Sequence, residues 1–162
     1  MNKLTVTASG DTEVVFARRF EAPPARVFEA YTTPRLVQRW LLGPDGWTMP
    51  ECEIDLRPGG AYRYLWRKAA DGREMGMGGI HAVVEAPRRL VVSERFDQPW
   101  YPGEASVDAR FEPEGAGTAF TATIRYPTRE ARDGVLASGM EGGVAASYDR
   151  LEALLAEAVS AA

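Results

Sequence analysis

The stretch Ser138–Leu155, SGMEGGVAASYDRLEALL, decides how the rest of the chain must fold. Met140, Val144, Ser147, Tyr148, Leu151, Leu154 and Leu155 recur at helical spacing, so the segment reads as an amphipathic helix with one apolar stripe. The stripe is uneven. Leucines fill it beyond Tyr148, whereas its beginning offers only Gly143, Val144 and Ser147, with Gly142 alongside. Ser138-Gly139-Met140-Glu141 spells a capping box, in which a serine caps the third helical amide and a glutamate reaches back. That places the helix start near Gly139, after a short helix from about Arg129 to Leu136. Gly139 then falls in the first turn, and Gly142 and Gly143 together cost about 2 kcal/mol relative to alanine. The expectation is that they leave room near the helix start, for a ligand or for a closely approaching strand.

Upstream, the pattern supplies what such a helix would cover. Glu13–Ala22 is rich in β-formers and ends at Pro23-Pro24, giving a first strand. Pro24 and Thr33-Pro34 each open a short helix, with Val27, Phe28 and Tyr31, then Leu36, Val37 and Trp40, as apolar faces. GPDG, Gly43 to Gly46, ends the second. Six strands follow in CEIDL, AYRYLWR, MGMGGIHAVVE, RLVVSERF, ASVDARFE and GTAFTATIRY, joined by turns too short for crossovers and therefore antiparallel. Only the C-terminal helix, about 30 Å long for roughly twenty residues, can cover such a sheet. The predicted architecture is α+β: a curved antiparallel sheet of about seven strands wrapped around that helix, in one domain over 1–162 with its core at about 13–158.

With 19 Lys+Arg against 23 Asp+Glu and no basic run, nucleic acid and anionic membrane surfaces are not expected partners. No stretch has the apolar length of a signal peptide or a membrane span. Cys52 is the single cysteine, so no intramolecular disulfide forms, and a cytoplasmic location is expected. Nothing in the sequence decides against a homodimer.

Candidate site residues come from strand alternation. Tyr62, Tyr64 and Trp66 share one face of AYRYLWR while Arg63 and Arg67 take the other, so the aromatics point inward and bring hydroxyls into an apolar interior. His81, the single histidine, falls on one face with Met75, Met77, Gly79 and Val83. Trp40, Trp47 and Trp100 lie at helix ends or in loops, where they can rim an opening or plug it. Cys52 sits between Glu51 and Glu53, which oppose thiolate formation and argue against a nucleophile. One histidine and one cysteine make no zinc cluster, and neither RPGG nor MGMGG precedes a helix that could take a phosphate. These glycines read instead as bends or close backbone approaches in the sheet. No metal or cofactor is expected, and no catalytic residue is singled out. The expected ligand contacts are Trp40, Trp47, Tyr62, Tyr64, Trp66, Met77, His81, Trp100, Gly143 and Ser147.

FEAPPARVFEAYTTPRLVQRWLLGPDGW, CEIDLRPGGAYRY, EAPRRLVV and GMEGGVAASYDRLEALL, in that order, resemble bacterial proteins related to the C-terminal domain of the activator of the ninety-kilodalton heat-shock chaperone ATPase. These belong to the START-like, SRPBCC superfamily with the helix-grip fold. The resemblance implies a cavity for a hydrophobic or aromatic small molecule, since superfamily members bind lipids, sterols and polyketides. Some members are cyclases or hydrolases, so the alternative is an enzyme with His81, Tyr64 or Glu94 as acid or base. A weaker alternative is a chaperone-associated interaction module. The separate N-terminal domain that makes much of the chaperone contact in the eukaryotic protein has no counterpart here, so a co-chaperone role is not expected.

Overall fold

The computed structural model describes residues 2–160; Met1, Ala161 and Ala162 of the expected domain lie outside the described residues. In chain order the elements are β1 (Thr5–Ser9), β2 (Glu13–Phe20), α1 (Pro24–Thr32), α2 (Pro34–Trp40), β3 (Trp47–Ile54), β4 (Ala61–Lys68), β5 (Glu74–Glu85), β6 (Arg89–Phe96), β7 (Ala105–Glu114), β8 (Gly117–Arg125), α3 (Arg129–Ala137) and α4 (Met140–Ser160). The strands form one antiparallel sheet in the order β1-β2-β8-β7-β6-β5-β4-β3. It has eight strands rather than about seven. The additional one, β1, pairs Thr5 with Ala17 through Ser9 with Glu13 at the sheet edge.

Both short helices open on proline in the first turn, as their sequences require. Thr33 occupies the N-cap of α2 but makes no side-chain capping bond, whereas Thr128 Oγ1 accepts from the Ala131 amide at the start of α3. The expected capping box at Ser138 does not form. Ser138 is helical and ends α3, its hydroxyl donating to the Val135 carbonyl at 2.6 Å. Gly139 has φ +78°, a conformation that glycine adopts without steric cost, and this residue breaks one helix from the next.

The sheet and α4 are not in uniform contact. From Tyr148 onward along α4, Tyr148, Leu151, Leu154 and Leu155 are buried. The Tyr148 ring meets Phe20 and Phe120 edge-on at centroid distances of 5.8 and 5.6 Å. Arg18, inward-facing on β2, reaches Asp149 at 2.7 Å. Toward its start α4 is thin, and the helix also touches the loop after α2. Ser147 Oγ accepts from the Gly43 amide at 2.8 Å, and Arg150 donates to the Gly43 carbonyl at 2.7 Å.

Here the glycines separate in role. A Cβ on Gly143 would stand 3.1 Å from Pro44 Cδ, so of the two expected uses of its space, a ligand or a strand, the strand is replaced by a loop. Gly142 is exposed and faces open space, and nothing in the structure explains it. Gly143→Leu should therefore destabilise the protein by about 1–3 kcal/mol, the usual cost of overpacking. Gly142→Ala should add up to about 1 kcal/mol. Thermal unfolding of the two variants checks both signs.

Candidate functional site

The thin start of α4, held off the sheet by side chains at its other end, leaves a cavity of about 590 Å³ between helix and strands. This lies within the range of about 300–1,000 Å³ typical of small-molecule sites. The cavity separates two apolar clusters, one centred on β2, β7, β8, α1 and α4, the other on Val37, Met49, Tyr62, Trp66 and Met77.

Alternation along the strands sets the walls. Tyr62, Tyr64 and Trp66 of β4 all face the cavity, as read from the sequence. The Tyr62 hydroxyl donates to the Ser93 carbonyl at 2.6 Å, and Trp66 Nε1 donates to the Leu41 carbonyl at 2.7 Å. Tyr64, whose ring lies 5.1 Å from Tyr62, makes no hydrogen bond among the described residues. On β5, Met77 and His81 also line the cavity. His81 is buried, and its Nδ1 donates to the Gly60 carbonyl at 2.9 Å, leaving Nε2 without a protein partner among the described residues.

Val83, expected on the face of His81, is displaced from it. The register shifts between His81, opposite Val92, and Val83, opposite Val91, so a bulge transfers inward parity to Val84. The β5 glycines are close approaches, as the sequence reading allowed. A Cβ on Gly78 would stand 2.7 Å from the Tyr62 carbonyl, and one on Gly79 would overlap the Ser93 carbonyl.

Trp47, Trp100, Gly143 and Ser147 line the cavity as well. Trp100 and Met75 are 62% and 43% exposed while lining it, which marks the opening. Trp40 is the exception. It is fully buried core, with Nε1 donating to the Ala30 carbonyl at 2.9 Å and its ring packed between Tyr31 and Tyr148, and it does not line the cavity. Its helical phase with Val37 turns it toward the core rather than toward the rim.

The site's most unusual group is Glu94. On β6, Leu90, Val92, Glu94 and Phe96 all face the cavity, so a carboxyl stands in an apolar wall. It makes no hydrogen bond or ion pair with any described residue, and burial pushes its pKa from 4.5 up to about 7. Five tyrosines stand close enough to feel its charge, Tyr62, Tyr64, Tyr101, Tyr126 and Tyr148. Burial first, and Glu94 second, raises Tyr62, Tyr126 and Tyr101, the last to about 12. The Tyr101 hydroxyl is buried without a partner among the described residues, and its ring meets Tyr126 edge-on at 5.7 Å. Opposite them, the hydroxyls of Tyr31 and Tyr148 share a hydrogen bond of 2.8 Å.

Tyr101, Tyr126 and Tyr31 are not among the contacts expected from the sequence, and Glu94 is expected there only as an acid or base of the enzyme alternative. The even-numbered parity of RLVVSERF carries the signal for Glu94; the loop that holds Tyr101 carries none. Cys52 does not line the cavity, and burial, reinforced by Glu53, pushes its thiol up to about 11, away from nucleophilic use. Among the described residues, no three His, Cys, Asp or Glu side chains cluster as metal ligands, and no helix is long and apolar enough to cross a membrane.

Comparison with known proteins gives this architecture relatives. The family model described as "Activator of Hsp90 ATPase homolog 1-like protein" matches residues 21–156. A crystal structure of a Rhodobacter sphaeroides protein is 34% identical, with TM-score 0.90 over 96% of this chain and 99% of that one. A Mycobacterium smegmatis protein is 25% identical, with TM-score 0.82 over 94% of this chain and 96% of that one. CalU16 from Micromonospora echinospora, 21% identical with TM-score 0.60 over 96% of this chain and 85% of that one, shares the fold alone. No curated protein matches. With a family match over most of its length and an eight-stranded sheet gripping its last helix, the chain belongs to the Activator of Hsp90 ATPase homolog 1-like family, of the START-like helix-grip fold.

Proposed function

We propose that the protein binds a hydrophobic or aromatic small molecule in the cavity between sheet and α4. The observation that carries this reading is the unfilled space of about 590 Å³ itself, walled by aromatic and aliphatic side chains with a few polar atoms left unpaired. Interiors pack to near-crystalline density, so a void of this size is costly unless something occupies it. The fold is one used for ligand binding, and a lone, unpaired cysteine suits a cytoplasmic protein.

The test is thermal unfolding with a panel of aromatic, sterol and acyl ligands. A ligand present at ten times its Kd should add about 1.4 kcal/mol, or on the order of 3–6 °C in Tm for a chain of this size. Absence of a shift with every class, together with native mass spectra of purified protein showing no retained molecule, would overturn the reading.

Glu94 supports a second reading, an enzyme of cyclase or hydrolase type in the same cavity. A carboxyl with a pKa of about 7 is matched to proton transfer near neutral pH. On this reading Glu94→Gln lowers turnover of a bound substrate by at least about 100-fold while leaving its binding measurable.

A further inference from the structure

The cavity carries an asymmetry of charge that narrows its ligand. Among the described residues its wall contains no lysine and no arginine, and Glu94 is its single acidic residue. That carboxyl has no donor among the described residues. Arg18, an inward-facing cation of β2, is outside the wall and committed to Asp149. A ligand with a carboxylate or phosphate head would therefore be buried beside an acid with no lysine or arginine to pair it, His81, held to the Gly60 carbonyl through Nδ1, being the basic side chain of the wall; buried ions do not tolerate such an arrangement.

The surroundings favour the opposite sign. Tyr62, Tyr64, Trp66, Tyr101 and Tyr126 share the cavity with Glu94. Aromatic rings attract a desolvated cation through their quadrupole, and a carboxylate completes such a cage. The Tyr101 hydroxyl, more than nine-tenths buried with its oxygen unpaired, adds one more polar group that a ligand's head can satisfy.

We propose that the cavity's ligand is a hydrophobic amine, its ammonium seated on Glu94 among the tyrosines, and that acid-headed amphiphiles are rejected. This rests on the reading of the cavity as a ligand site.

The experiment uses the full chain at pH 8 and three probes on one frame: 1-naphthylmethylamine, 1-naphthylmethanol and 1-naphthoic acid. Kd is measured for each by calorimetry or fluorescence. The amine should bind at least about tenfold tighter than the alcohol, the range expected for a hydrogen bond to a charged group, and the acid weakest. In Glu94→Gln the amine's advantage over the alcohol should disappear. Naphthoic acid binding as tightly as the amine, or an advantage that survives Glu94→Gln, overturns the proposal. Should the alcohol match the amine in the wild type, the cavity remains a ligand site and the amine assignment falls. Binding of none of the three counts against the cavity reading and ends this proposal with it. If Glu94→Gln fails to fold, the wild-type ranking still decides.

Discussion

Asp149→Ala should cost the protein about 3 kcal/mol, on the order of 6–12 °C in Tm, while Arg18→Met should leave stability unchanged or improve it. The asymmetry follows from how the pair is built. The Arg18 side chain is 1% exposed, and its charge meets Asp149 through one 2.7 Å bond, with Asp149 itself 53% exposed. Nε and Nη2 of Arg18 are buried without partners among the described residues, and the guanidinium lies 5.4 Å from the centre of the Phe20 ring. Removing Asp149 strands a buried cation, for which costs of about 3–5 kcal/mol are usual; partial hydration at the aspartate side argues for the lower end.

Replacing the arginine with an apolar chain of similar length removes the cation and both unsatisfied nitrogens at once. It leaves behind an aspartate that is already half in water. Chemical denaturation of the two variants reads the difference. Arg18→Met as destabilising as Asp149→Ala would show that the pair holds α4 on β2 by net attraction, rather than by avoiding an orphaned charge.

The same contact explains how the cavity is kept. The aromatic packing of Tyr148 and the Arg18–Asp149 bridge prop the middle of α4 against β2 and β8. The Gly43–Pro44 loop holds the helix through Ser147, Arg150 and the missing side chain of Gly143. With the helix held at these contacts, the small side chains it presents before Tyr148, at Gly143, Val144 and Ser147, leave the space open.

Much of this was legible in the sequence, and the exceptions share causes. Long strands with one buried face announced themselves by alternation, which is why the walls formed by Tyr62, Tyr64, Trp66 and Met77 were readable. β1 was not, because TVTAS is an edge strand with no fully buried residue, so its alternation has no apolar phase. His81 was placed correctly, but Val83 was not, since a single inserted residue in β5 reverses parity without any local signature. Ser138-Gly139 fits two rules at once, the capping box and the glycine that ends a helix. The left-handed backbone of Gly139 settled the competition in favour of the second. Trp40 was misread because a tryptophan at a helix end can face either way, although Val37 on the same face gave the answer. Loop residues such as Tyr101 have no periodicity to betray them.

Glu94→Gln should make the unliganded protein more stable than wild type by about 3 kcal/mol at pH 8, and scarcely different from it near pH 4.5. A carboxyl lifted from 4.5 to about 7 by burial is favoured in its protonated form by the folded state. Below about pH 4.5 it is protonated in both states and contributes no penalty. As pH rises toward 7 the unfolded chain releases its proton while the folded one retains it, so stability declines. Above about 7 the carboxylate is ionised inside the cavity, and the full cost of about 3 kcal/mol is present, because each pKa unit is worth about 1.36 kcal/mol. The other shifted carboxylates run the opposite way. Asp97 and Asp108, held low by hydrogen bonds from Arg63 and Arg89, add stability that is lost in acid. They titrate alike in both proteins, so the difference between wild type and Glu94→Gln isolates Glu94. Tyr62, Tyr101 and Tyr126, the groups most affected by Glu94's charge, are raised above the range of the experiment and stay protonated throughout. Paired melting curves at pH 4.5, 6 and 8 should open a gap on the order of 6–12 °C between the variants as pH rises. A gap that is the same at all three pH values would mean that Glu94 is hydrated in the folded state, and with that the charge argument for the cavity's ligand would lose its physical basis.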